Sequence, residues 1–432
     1  MEKEFIKEED YIIDEIQEVS VGENKNWLAL IKSAFPALKY RNYKLYFTGQ
    51  LISLIGTWLQ IVAQGWLVLT LTHSAFWIGT IAALSTLPIL VFSLFGGVIV
   101  DRFPKRKIII FTQSMEMIFA FLLGILAILH IINITQIAII AFLNGIVVAI
   151  DLPARQTFMN DIVEKRDLPS AIALNSGLYN SARIIGPSVA GLLIALVGVG
   201  GAFIANGLSF LAVIIALLSM NIQDVSNSSN PNPLKAIKEG IQYSFSNQYI
   251  SILLVYTCVV SIFGWSFITI LPYITSKTFG AGVSELGNFY AAFGAGALVA
   301  MVIISGFFKK IKPFVFITAG GFMFITGLLL FTFTNNILLA LPLLFITGLG
   351  LILQFSTINS SIQNLAEDHV RGRVISIYTL MFAGMSPIGN FQIGYLSDHI
   401  GSSSAIRIGA LISAAVLIFM LYKDGKIRHL KF

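Results

Sequence analysis

Charge is what this chain has least of. Only 12% of its 432 residues are Asp, Glu, Lys or Arg, about half the share of a soluble globular protein, so an ordinary water-soluble enzyme is excluded. One cysteine, Cys258, excludes a disulfide framework and any multi-cysteine metal site. It lies in an apolar run and reads as an inert packing residue. The five histidines (His73, His130, His369, His399 and His429) are scattered, with no i, i+4 pair to hold a metal. There is no glycine–lysine loop to cradle phosphate, and no serine or cysteine has an evident base nearby. No catalytic residue, metal or cofactor is expected.

Apolar residues are abundant instead, at 56% with 34 Phe, far too many to leave solvated in a disordered chain. A helix crossing the roughly 30 Å hydrocarbon core needs about 20 apolar residues. By that measure the sequence predicts twelve membrane helices, near 43–70, 76–100, 108–132, 134–155, 172–197, 199–220, 249–275, 284–307, 314–334, 336–356, 374–396 and 403–422. The short alternating segments of an outer-membrane barrel are missing. So are the polar faces that the outer helices of a large soluble bundle would show. The expected fold class is an all-α membrane protein, with twelve transmembrane helices in two six-helix pseudo-symmetric halves.

Lysine and arginine positions set the orientation. With the first segment inside, 25 of the 28 fall in segments on that side. Lys277 and Arg407 lie on the other side, and Arg183 lies within a helix. The expectation is a multi-pass plasma-membrane protein with both termini cytoplasmic. The net charge of +6 follows from this topology and gives no reason to expect nucleic acid. Residues 1–42 read as an acidic cytoplasmic tail, solvated or partner-binding. Its first 23 residues hold nine acids against two lysines and lack the apolar stretch of a cleaved signal peptide. Residues 43–220 form the N-terminal half and 249–422 the C-terminal half. Between them, 221–248 combines a linker (QDVSNSSNPNP, 223–233) with a short amphipathic helix, and 423–432 is a cytoplasmic tail.

The halves read as distant repeats. Each has a basic loop after its second helix, GGVIVDRFPKRK at 96–107 and SGFFKKIKP at 305–313, and each fifth helix carries a proline, Pro187 and Pro387. Parallel halves of this kind are a transporter architecture, with the site between them near mid-membrane.

The run from Gly97 through Asp101-Arg102 to Lys105-Arg106-Lys107 resembles the loop signature of the major facilitator superfamily, with Pro104 where that family usually has glycine. DLPARQTF (151–158), DLPSAIALNSGLYNSARIIGPSVAGLL (167–193) and GIQYSFSNQ (240–248) are similar to its third drug–proton antiporter branch, the macrolide and siderophore exporters. The resemblance covers roughly 40–422. It implies the major facilitator fold and secondary-active, proton-driven export of an amphipathic small molecule by alternating access. It also implies a monomer in contact with membrane lipid, with a proton or other ion as coupling partner. Ala141 takes the place of the family's helix-four arginine. The alternatives are a carrier of a physiological solute or lipid-like metabolite without proton coupling, and a membrane receptor or scaffold.

Three sets of candidate residues follow. At the basic loop, Gly97, Asp101, Arg102, Arg106, Asp151 and Arg155 are expected to form a cytoplasmic latch, since an acid at a helix end needs a partner. Arg155 is the expected partner of Asp101, and Arg102 or Arg106 that of Asp151. The resemblance adds Arg373 nearby. In helix one, Gln50, Ser53, Thr57, Gln60 and Gln64 are spaced 3, 4, 3 and 4, which places them on one narrow stripe suited to a water-accessible cavity. The family's cavity helices would add Gln136 and Asn144, then Tyr256, Ser261, Trp265 and Thr269, then Thr347 and Gln354. Finally, Arg183 and Glu116 sit at membrane depth, where a charge is costly enough to be a functional candidate. Arg183 is expected to hold an anionic substrate group or to brace the two halves. Glu116 is expected to be a possible proton site.

Overall fold

The structure, a computed structural model, describes residues 35–222, 233–307, 311–367 and 370–423. The expected acidic tail through residue 34, the linker at 223–232 and the tail from 424 lie outside the described residues, as do the side chains of Asp101 and Arg183. A short turn at Pro36–Lys39 leads into α1 (Arg41–Thr72), α2 (Ala75–Arg102), α3 (Lys105–Ile128), α4 (Ile134–Ile162) and α5 (Leu168–Leu218). After the linker come α6 (Pro233–Ser246), α7 (Gln248–Val259), α8 (Leu271–Lys277), α9 (Val283–Phe307) and α10 (Pro313–Phe331). The chain ends with α11 (Ile337–Leu365), α12 (Arg371–Thr379), α13 (Ser386–Ile400) and α14 (Ser402–Lys423). No strand occurs among the described residues.

Eleven of these spans are long and apolar enough to cross a membrane. Their lipid-facing character is direct: Leu196, Val302 and Leu338 are 72%, 72% and 77% exposed, and apolar surface on that scale is not left to water. The sequence predicts twelve spans because α5 carries two. Its 51 residues break at Gly198, where φ is +72°, giving legs at 168–197 and 199–218. A side chain at this left-handed position costs about 1–2 kcal/mol, while no heavy atom lies within 4 Å of the position a Cβ would take. Gly198→Ala should therefore lower thermal stability in detergent by that strain alone, and an unchanged melting temperature would count against it.

Helix starts are fixed locally. Asn133 and Gln136 form a reciprocal capping box at the start of α4, and Asn247 and Asn336 cap α7 and α11. The Lys39 ammonium, 2.5 Å from Asp167, and the Tyr40 hydroxyl, 2.7 Å away, tie the entry of α1 to that of α5 and hold the Asp167 carboxyl below its usual range. Glycines then let helices approach. Gly49 backs onto Val213, and Gly56 onto Asn206 and Ser209, so α1 packs against the second leg of α5.

Two spans are broken at depth. Between α7 and α8 the chain makes a π turn at Val260–Gly264 and then a 3-10 stretch at Trp265–Ile270. A second π turn, Leu380–Gly384, separates α12 from α13.

The elements before and after the linker meet mainly through α2 with α13 and α5 with α9. A Cβ on Gly79 would lie 2.3 Å from the Asn390 carbonyl oxygen, and one on Gly191 would lie 2.4 Å from Gly287 Cα. Asp398 of α13 accepts the Ser74 hydroxyl and, at 2.8 Å, the Ala75 backbone N–H, capping α2 from the opposite half. All these contacts lie toward the α1–α2 turn at His73. The opposite, basic end carries Arg102, Lys105 and the start of α12.

Candidate functional site: a cavity between the halves

A cavity of about 470 Å³ lies between the two sets of helices. Thr57, Gln60 and Gln64 of α1, Glu116 of α3 and Asn144 of α4 line it from one side, and Trp265, Thr269, Tyr290 and Asn390 from the other. The broken span explains the second wall. The π turn followed by a 3-10 stretch brings Trp265, Ile268 and Thr269 together on the cavity side, and irregular backbone at membrane depth is tolerated where it lines a cavity. Trp265 packs against Phe293 and Phe382, with ring centroids 5.9 and 6.4 Å away. Thr269 donates to Asn390 Oδ1 at 2.7 Å, and Asn206 donates to Gln60 Oε1 at 2.7 Å. Amide and hydroxyl groups thus stand at intervals on an aliphatic and aromatic wall.

The structure divides the expected cavity set. Thr57, Gln60, Gln64, Asn144 and Trp265 are on the wall. Gln50, Ser53, Tyr256, Ser261, Thr347 and Gln354 are buried among helices and do not line this cavity. Each of the last four has a packing partner instead. Tyr256 donates to Gln354 Oε1 at 2.5 Å, Thr347 donates to Leu343 O within its own helix, and Ser261 donates to Phe382 O, a carbonyl within the second π turn. Gln136 belongs to the α4 cap. Trp58, Asn206, Tyr290 and Asn390 are wall residues that the sequence did not single out. Asn206 had a signal, the one amide in a leg at 199–218 that holds no other polar side chain but Ser209.

The expected latch is also redrawn. Arg155 donates through Nε to Asp151 one turn back and, at 2.7 Å, through Nη1 to Gln50 Oε1. It lies 3.9 Å from Glu116 Oε2 and 3.5 Å from the Tyr179 hydroxyl. Asp151 accepts the Thr112 hydroxyl at 2.5 Å as well. Arg106 does not reach Asp151: it donates to Leu217 O at 2.8 Å and Leu218 O at 3.1 Å, where its charge complements the C-terminal end of α5. Arg102 is exposed, and Lys105 pairs with Asp161 at 2.8 Å. Gly97 has open space beside it. Arg373 pairs with Glu239 at 2.6 Å. Among the described side chains the charge cluster therefore closes within the first half.

The family model described as "Transmembrane secretion effector" matches residues 32–429. Over 391 residues the chain is 25% identical to the staphyloferrin A transporter of Staphylococcus aureus, covering 89% of this chain and 97% of that protein. Over 412 residues it is 25% identical to macrolide efflux protein A of Streptococcus pyogenes, covering 91% and 100%. Among solved structures, a bacterial homologue of the human lysosomal transporter Spinster, inward-facing and unoccupied, aligns with a TM-score of 0.66 at 14% identity, covering 92% and 96%.

Proposed function

The chain belongs to the transmembrane secretion effector family of major facilitator transporters, and from that premise we propose that it exports an amphipathic small molecule, a siderophore or a drug such as a macrolide. It is a multi-pass membrane transporter and not an enzyme. The observation that carries the export reading is the cavity itself, 470 Å³ of mostly apolar wall with a few amide and hydroxyl groups, placed between halves that touch at one end. A site of that kind buries the body of an amphipathic molecule and fixes its polar groups. Alternating access then consists of parting the Gly79–Gly394 and Gly191–Gly287 contacts while the basic end closes. A proton gradient supplies the drive, and the chain acts as a monomer in the plasma membrane.

A strain overproducing the protein should survive higher concentrations of some members of a broad panel of macrolides, cationic drugs and siderophores. Resistance to none of them would favour a carrier of a physiological solute without proton coupling. The proposed orientation, with both termini in the cytoplasm, is checked separately by cysteine labelling in a Cys258→Ala background. A cysteine at Lys105 should react only from inside the cell, and one at Lys277 only from outside; the reverse pattern would overturn the orientation.

A further inference from the structure

We propose that Glu116 is the proton-binding site of this transporter, and that Arg155 reads its protonation by shifting between Glu116 and Asp151. The inference rests on the proton-driven reading above. Two carboxylates, Asp151 and Glu116, face one guanidinium, and both are buried, at 1% and 6% exposure. Tyr46 of α1 and Tyr179 of α5 also face Arg155. The neighbouring leg at 199–218 and the stretch 75–100 of α2 hold no titratable side chain. Among the described side chains, which do not include that of Arg183 on the first leg of α5, the cluster is therefore one negative charge in excess, in a place where an uncompensated charge is strongly unfavourable. One bound proton removes that excess.

Geometry says which acid takes it. Asp151 is committed, receiving Arg155 and the Thr112 hydroxyl. Glu116 receives only long contacts, 3.4 Å from Gln113 Nε2 and 3.9 Å from Arg155, and its Oε1 is buried with no hydrogen-bond partner. Glu116 is also the member of the cluster that lines the cavity. A hydronium arriving there gives its proton to a lone pair of Oε1 and leaves as water, and the carboxylate becomes a neutral carboxyl. Arg155 then settles on Asp151 and Gln50. When the proton leaves, the guanidinium is drawn back toward Glu116. Because Arg155 joins residues of α1, α3, α4 and α5, the proton alters how these helices are held together beside the cavity.

The test has a readout that needs no substrate. In pH-difference infrared spectra of the purified protein in liposomes, the wild type should show a protonated-carboxyl band equal to one group that Glu116→Gln lacks. Asp151→Asn should keep that band and move its midpoint to lower pH, since Glu116 then has Arg155 to itself. Identical spectra for wild type and Glu116→Gln would overturn the proposal, as would loss of the band in Asp151→Asn alone. If Glu116→Gln does not reach the membrane, Glu116→Asp serves: its band should shift in frequency and midpoint, and an unmoved band would again overturn the assignment. In the same liposomes, erythromycin accumulation driven by a pH gradient should be lost in Glu116→Gln. A wild type that moves neither erythromycin nor staphyloferrin A would argue against the export reading, while the infrared result would still decide the proton site.

Discussion

Arg155→Gln is expected to remove most of the folded protein from the membrane. Among the described residues, the substitution leaves Asp151, buried at 1% exposure, with only neutral partners, the Thr112 hydroxyl and a long contact from Gln113. Breaking a buried pair by removing one partner costs about 3–5 kcal/mol, a large part of the 5–15 kcal/mol by which a folded protein is typically stable. Loss of the bond to Gln50 adds to this, because the other amide group of that side chain, Nε2, already lacks a partner. Combining Arg155→Gln with Asp151→Asn should restore much of the abundance, since no uncompensated charge then remains on Asp151. Fluorescence-detected gel filtration and melting curves of the single and double variants provide the measurement. A single variant as abundant and stable as wild type would mean that Asp151 finds its compensation elsewhere.

Gly79→Val should have the largest effect on transport with little loss of protein. A Cβ at this position meets the Asn390 carbonyl oxygen at 2.3 Å and Gly394 Cα at 2.9 Å. These are backbone atoms of the opposite half, so no side chain can turn aside to make room. Overpacking costs about 1–3 kcal/mol, which disfavours the conformation clasped at the His73 end by about fivefold to more than a hundredfold. The same clash disappears once the halves part, so the fold itself survives. A cysteine placed at Gln64 should then become more reactive to a reagent applied from the His73 end, while net transport falls in proportion. Unchanged reactivity and unchanged transport together would show that the glycine contact does not control the cycle.

The spans were legible in the sequence because length and apolarity alone define them. The division of α5 was legible too, because its apolar run is about twice the length one crossing needs, and that length placed the break between 197 and 199. Other features depended on three dimensions. The stripe from Gln50 to Gln64 was visible as a spacing, but spacing does not say which part of a stripe meets empty space and which meets another helix. Arg155 claims Gln50, and the cavity begins about two turns further on, at Thr57. Likewise, the expected pairing was Arg155 with Asp101 and Asp151 with Arg102 or Arg106, passing over the i, i+4 spacing that does pair Arg155 with Asp151, and the approach of Glu116 from α3 had no sequence signal. Tyr256 and Trp265 looked alike as aromatics among small polar residues. A change of helical winding between them sends one into the bundle and the other to the wall, and no residue type marks a π turn.

Asp398 caps α2 from across the interface, so opening that end of the transporter is also a partial uncapping of a helix. A carboxylate at a helix N-terminus contributes about 0.3–1 kcal/mol at the surface, and salt screens it. In the proposed cycle the Ala75 N–H and the Ser74 hydroxyl would exchange that carboxylate for water whenever the halves separate. This one contact is held with an energy close to thermal agitation, and part of it depends on dissolved ions. In the proposed cycle the solution bathing the His73 face would therefore act as a reagent, and raising its ionic strength should speed opening on that face without touching the cavity.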